Sequence, residues 1–240
     1  MTDYAFIGDV HSDITELDQI LEIIPSSYRL VFLGDLFDYR RPTGKGDSLD
    51  VYNLVRSIPQ AVVLRSNHQQ KLLSYLKGKP VKGNAAFQNT LYDFQLPGNK
   101  YREELKDWLE AQPYALALKS NGRQYRAAHA YYPAGFNFQN VSLEHKNACL
   151  YGLKDNPHWW EQPHYEPYIK VCGHHHTIFT SRHSVVVDGM CGAHPEGCLV
   201  AYLSDTQTLV STKPLKRVEL PAYTYAYPAT LTPRNLKRLS

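Results

Sequence analysis

Five short apolar runs in this chain stop at a small residue and are followed at once by side chains that can hold a cation or move a proton. Residues 4–8 lead into Asp9-Val10-His11, residues 30–34 into Asp35-Leu36-Phe37-Asp38, and residues 61–66 into Asn67-His68. Residues 125–128 lead into His129, and residues 168–173 into His174-His175-His176. Runs of this length and composition read as buried strands. In α/β sheets ligands gather beyond the carboxyl ends of strands, so five strands ending this way would deliver all these groups to one rim.

The intervening segments fit that class. After His11, Ile14, Leu17, Ile20, Leu21 and Ile24 recur at helical spacing, with Ser12 or Asp13 as cap and Pro25 as stop. A polar loop containing Arg40 and Arg41 precedes a second helix through Leu49, Tyr52, Leu54 and Val55. The order β-α-β-α-β is that of an α/β fold. Between about 69 and 110, Leu72, Leu73, Leu76, Phe87, Leu91, Phe94, Leu105 and Leu109 predict a helical insertion beside the site. Further strands are expected near 114–118, 124–128, 168–172, 184–188, 198–204 and 208–212, the last three spaced as antiparallel hairpins. Adjacent Trp159 and Trp160 sit in a Pro-containing, aromatic-rich loop, and one of them is expected to present its ring at the surface.

The 240 residues suit one domain, here placed at 1–212, with a Pro- and Tyr-rich tail at 213–240 that carries six basic residues against Glu219. Against an overall charge of +3 the body is therefore mildly acidic, which suits a carboxylate-built cation site and does not indicate a nucleic-acid partner. No run is long and apolar enough for a membrane span and no signal-peptide pattern opens the chain, so a soluble, cytoplasmic protein is expected. Cys149, Cys172, Cys191 and Cys198 lack CxxC spacing and read as reduced, buried thiols.

Asp9, His11, Asp35, Asn67, His129, His174 and His176 together offer carboxylates, an amide oxygen and imidazoles around one carboxylate, Asp35, able to serve two cations. Such a mixture suits two divalent transition metals, manganese first and iron or zinc as alternatives, better than calcium. A metal pair binds phosphate, lowers the pKa of water and neutralises developing charge. His68, beside a proposed ligand, is the candidate to protonate a leaving group, and Asp38 to fix its tautomer.

The ordered set Asp9-x-His11, Gly34-Asp35-x-x-Asp38, Asn67-His68, His129 and Gly173-His174-x-His176 resembles the calcineurin-like metallophosphoesterases, over residues 4 to 205. Within them it is most similar to the branch of the phosphoprotein phosphatases and bacterial diadenosine tetraphosphatases. The resemblance implies a four-layer α-β-β-α sandwich of two mixed sheets. It also implies Asp9 and His11 on one metal, Asp35 bridging, Asn67, His129 and His174 on the second, and His176 completing the first. The chain departs from the pattern at Ser12 and Ser66, where the family has glycine, and at Gln69, where it has an acid. Tyr39 stands where the phosphate-gripping arginine is usual, leaving Arg40, one residue later, as the candidate phosphate contact.

Three functions follow from this reading. One is a phosphomonoesterase acting on a phosphoprotein or a small phosphate ester. Another is a phosphoanhydride hydrolase of dinucleoside polyphosphates or related nucleotides, with Trp159, Trp160 or Tyr132 stacking a base. The third is a non-catalytic metal-bound interaction module, against which the intact Asn67-His68 and Asp38 argue.

Overall fold

The computed structural model describes residues 2–39, 46–95, 99–162, 164 and 166–215. Arg40 and Arg41 and most of the basic tail lie outside them. One five-stranded sheet has the order β10-β9-β1-β2-β3, formed by β1 (Tyr4–Ile7), β2 (Arg29–Phe32), β3 (Val62–Val63), β9 (Val200–Leu203) and β10 (Thr208–Ser211). The other has the order β4-β5-β6-β8-β7, formed by β4 (Ala115–Ser120), β5 (Arg123–Ala128), β6 (Ile169–Cys172), β7 (Ile178–Thr180) and β8 (Ser184–Val187). Both are mixed. In the first sheet β1, β2 and β3 run parallel, and in the second β5, β6 and β8 do.

Strand alternation builds the layers. Phe6, Val31 and Leu33 face inward and pack with Tyr125, Val171, Val185 and Val187 of the opposite sheet. Their neighbours Ala5, Ile7 and Phe32 face outward, onto a helical layer. That layer comprises α1 (Ile14–Ile23), α2 (Ser48–Ser57), α3 (Asn67–Leu76), α4 (Ala85–Gln95) and α5 (Asn99–Ala111). On the far side, Val186 and Cys172 pack under Trp159, Trp160 and Phe179, while Ala128 and Ala115 pack with Cys149 of α6 (Leu143–Tyr151). The result is the expected four layers.

The three helices α3, α4 and α5 occupy the stretch read as an insertion. Buried Arg65 anchors α5 by donating through Nη2 to the carbonyls of Leu109 (2.7 Å) and Glu110 (2.6 Å), the acceptors that a helix end leaves over. Two expectations are corrected. β8 does not form a hairpin with β9: it joins the second sheet between β6 and β7, and of the last three strands β9 and β10 alone pair with each other as an antiparallel hairpin. Trp159 and Trp160 offer no surface platform, being only 4% and 5% exposed. They sit in a 3-10 turn, Trp159–Glu161, which swings successive side chains about a third of a turn apart. Trp159 can therefore pack on Tyr131 (centroids 5.0 Å) and Trp160 on His175 (4.4 Å). Tyr132 is also buried.

All four cysteines are buried and free. Among the described residues no helix is long and apolar enough to cross a membrane.

Glu16, buried on α1, closes the helical layer onto the last strand. It pairs with Lys213 (2.6 Å), and accepts from the Leu199 N–H (3.2 Å) and the Thr212 hydroxyl. Burial raises its pKa, but the hydrogen bonds from Lys213, Thr212 and Leu199 outweigh that and hold it below the ordinary 4.5. A depressed carboxylate stabilises the fold above its unfolded pKa and loses that contribution as the pH falls through the folded one. Glu16→Gln should therefore be less stable than the parent in urea at about pH 7, with the gap closing by about pH 3. A gap of equal size at both pH values would reject the pairing as the source.

Candidate metal centre

The carboxyl ends of β1, β2, β3, β5, β6 and β8 lie on one edge of the sandwich and carry the side chains singled out in the sequence. Asp9 and His11 follow β1, Asp35 and Asp38 follow β2, and Asn67 and His68 open α3 just beyond β3. His129 follows β5, His174 follows β6 and Asp188 follows β8. Local conformation sets their aim. His11, Asp35, Asp38, His174 and His176 all have positive φ, between 45° and 71°, which costs a non-glycine residue of order 1–3 kcal/mol and marks a site held by its surroundings. Gly34 (φ 112°) and Gly173 are required for closeness. A Cβ on Gly34 would stand 2.6 Å from Ser66 Cβ, and one on Gly173 would stand 2.1 Å from Asp9 Oδ1.

The departures from the family pattern have local explanations. Ser12 has a left-handed backbone (φ 59°), the conformation glycine adopts most readily, and hydrogen-bonds through its hydroxyl with Ser48 (3.0 Å). Ser66 caps α3, its Oγ accepting from the Gln69 N–H (3.2 Å) and donating to Gln69 Oε1 (2.7 Å). Gln69 Nε2 then donates to Gln112 (2.7 Å), so an amide fits where a carboxylate would find another acceptor. This variant of a capping box fixes the helix start that carries Asn67 and His68.

Two clusters share Asp35. Asp9, His11 and Asp35 bring ligand atoms within 4.8 Å of one another, and so do Asp35, His129 and His174. Asn67 Oδ1 joins the second, 3.0 Å from His129 Nε2, which also lies 3.6 Å from Asp35 Oδ2 and 3.1 Å from His174 Nδ1. His176 is in neither cluster; its main-chain N–H donates to Asp188 (2.6 Å).

These groups fit cations. His129 Nδ1 donates to the Leu33 carbonyl (3.0 Å), which leaves Nε2 a lone pair facing the oxygens of Asn67 and Asp35. Likewise His11 Nδ1 donates to the Phe37 carbonyl (2.9 Å). Burial lowers the pKa of His129, and burial with the neighbouring His129 lowers that of His174 to about 2, so both imidazoles are neutral donors of electron pairs. Burial and the charges of Asp188 and Asp35 push the Asp9 carboxyl well above its usual range. Asp35 Oδ1 is buried with no hydrogen-bond partner among the described residues. Converging lone pairs and crowded carboxylates are what a pair of divalent cations would relieve.

The sequence model of the calcineurin-like phosphoesterase family matches residues 3–207. The chain belongs to that family. It is accordingly a metal-dependent hydrolase of phosphorylated substrates, and the clusters above are the groups of this calcineurin-like phosphoesterase that could bind its metals. No curated protein matches the chain. Among solved structures it resembles a "putative diadenosine tetraphosphatase" at TM-score 0.62 and 17% identity, over 88% of this chain and 92% of that one. It also resembles a metallophosphoesterase from Sphaerobacter thermophilus (TM-score 0.56, 13% identity, 90% of each chain). A third is a protein serine/threonine phosphatase from Saccharomyces cerevisiae (0.56, 10%, 93% of this chain and 82% of that one). At these identities the likeness is one of fold.

Beside the clusters, His68 Nδ1 hydrogen-bonds with Asp38 Oδ2 at 2.5 Å, and its Nε2 stands 3.8 Å from Asp35 Oδ2. Asp38 is held in turn by Thr90 of α4. The Thr90 hydroxyl donates to Asp38 Oδ1 (2.9 Å) and accepts from the Asp38 N–H (3.1 Å). Burial raises the Asp38 pKa, but the His68 contact, Thr90 and Lys71 outweigh it and keep the carboxyl ionised. Sequence reasoning missed Thr90, since a lone threonine inside an apolar helix carries no signal. The buried Asp188 carboxylate accepts the N–H groups of His176 (2.6 Å) and Met190 (2.9 Å) and so braces the loop bearing His174.

Proposed function

We propose that the chain hydrolyses phosphate monoesters, with water as nucleophile and His68 as the acid that protonates the leaving oxygen. Two divalent transition metals, manganese before iron or zinc, would supply Lewis-acid activation of water and neutralise charge on the phosphoryl group. Asp9, His11 and Asp35 would hold one, and Asp35, Asn67, His129 and His174 the other. The observation that carries this reading is the single carboxylate of Asp35 common to both clusters, with His68 Nε2 turned toward it. Asp38 accepts the Nδ1 proton of His68, which fixes the tautomer and leaves Nε2–H as the proton to be given away. Thr90 fixes Asp38 and so ties α4 to the proton donor. A scaffold that only bound metal would have no use for this chain of three groups.

Full-length protein loaded with Mn(II) should hold close to two ions per chain by elemental analysis and hydrolyse p-nitrophenyl phosphate, with activity lost in EDTA and restored by Mn(II). Two bound ions without hydrolysis of any phosphomonoester would overturn the assignment.

A further inference from the structure

Building on that phosphomonoesterase reading, we propose that the cleft beside His68 is a subsite for a second phosphate on the leaving-group side of the substrate, gripped by Lys71 and Lys82. The cleft, about 450 Å³, opens at Asn67 and His68 and runs along α3 to the loop before α4, with Tyr151 at its edge. If His68 protonates the leaving oxygen, the departing group lies on the His68 side, and this cleft is the room there.

Its chemistry is selective. Lys71, Lys82, Asn84 and Ser74 line it, and among the described residues no carboxylate does. Lys71 follows His68 by three residues on α3, so both project from one face. Its Nζ lies 4.2 Å over the Phe87 ring and 4.0 Å from Asp38 Oδ2, an oxygen that His68 already engages at 2.5 Å. Lys82 is exposed, and among the described residues no carboxylate lies at ion-pair distance from it. Two ammonium groups, one sharing its carboxylate with His68 and the other without an ion pair among the described residues, offer a neutral alcohol nothing. A phosphate, with close to two negative charges and three acceptor oxygens, would engage both, and the Asn84 amide as well. The Tyr151 ring, 57% exposed, flanks the organic part.

In the reaction the phosphorus–oxygen bond to the leaving group breaks and one to water forms. His68 gives its proton to the departing oxygen, and the released product carries the second phosphate away. That phosphate could be joined to the leaving oxygen through an alcohol or directly as an anhydride.

The test compares kcat/KM of Mn(II)-loaded full-length chain on hydroquinone bisphosphate, ADP, 4-carboxyphenyl phosphate and phenyl phosphate. Hydroquinone bisphosphate or ADP should exceed phenyl phosphate by about tenfold or more, the order of one charge-assisted contact. That ratio should fall about tenfold in Lys82→Ala and in Lys71→Met, and below one in Lys82→Glu. Preference for hydroquinone bisphosphate assigns the ester-linked phosphate, and preference for ADP the anhydride. A wild-type ratio near one, a ratio indifferent to Lys82→Ala, or an equal gain with 4-carboxyphenyl phosphate overturns the subsite. If no substrate is turned over, the phosphoesterase reading fails by itself. Calorimetric binding of hydroquinone bisphosphate to wild type and Lys82→Ala then decides the subsite: about tenfold weaker binding in the variant supports it, and equal binding overturns it.

Discussion

Replacing Asp35 by asparagine or alanine should empty both halves of the metal centre at once. Every other proposed ligand serves one cluster, whereas Asp35 belongs to both and keeps one oxygen buried without a hydrogen-bond partner among the described residues. Its loss should therefore cut hydrolysis by more than the roughly 10²- to 10⁴-fold of a missing proton donor. Binding can be read without turnover. At free metal a hundredfold above its Kd, each ion stabilises the native state by about 2.7 kcal/mol, which in a chain of this size is roughly 5–10 °C in Tm. Wild type should show that shift on adding Mn(II), and Asp35→Asn should show little or none while melting cooperatively. Asn67→Ala should keep part of it. Retention of a full shift by Asp35→Asn would mean that the two clusters do not share their carboxylate.

His68→Ala should do the opposite, keeping both ions and the metal-induced shift in Tm while losing roughly 10²- to 10⁴-fold in kcat. The separation follows from geometry. Asn67 turns its oxygen to His129 at 3.0 Å, while His68, the next residue on α3, turns Nδ1 to Asp38. The loss should shrink as the leaving group becomes more acidic, because a nitrophenolate needs little protonation and an alkoxide needs much. Asp38→Asn should reproduce part of the effect by offering His68 an amide in place of a carboxylate. Equal slowing of good and poor leaving groups, or loss of a metal, would move His68 out of the proton-donor role.

What the sequence made legible was local. Each proposed ligand stands within a few residues of the strand that aims it, so apolar run and ligand are read together, as at Ile7-Gly8-Asp9 and Val171-Cys172-Gly173-His174. Thr90 was invisible because its partner Asp38 is distant in the chain and only the packing of α4 joins them. The helix α6 was missed because its buried residues Ala148, Cys149 and Leu150 are consecutive and draw no stripe at helical spacing. β7, three residues long, was too short to register. The sheet to which β8 belongs was misread because spacing along the chain reports neighbours in sequence, whereas β8 finds its partners in β6 and β7. The Trp pair was misplaced because a 3-10 turn lets adjacent rings share one core.

The strand β1 sits in the middle of its sheet, between β2, its near neighbour in sequence, and β9, which lies almost at the other end of the described chain. On a ribosome that order has a cost. Asp9 and His11 emerge long before β9, so β1 lacks half of its hydrogen-bond ladder until Val200–Leu203 has been made, and Asp9 lacks the N–H that holds it until His174 has. Nascent chains must therefore carry an open apolar edge until β9 is made, the condition under which holding chaperones matter most.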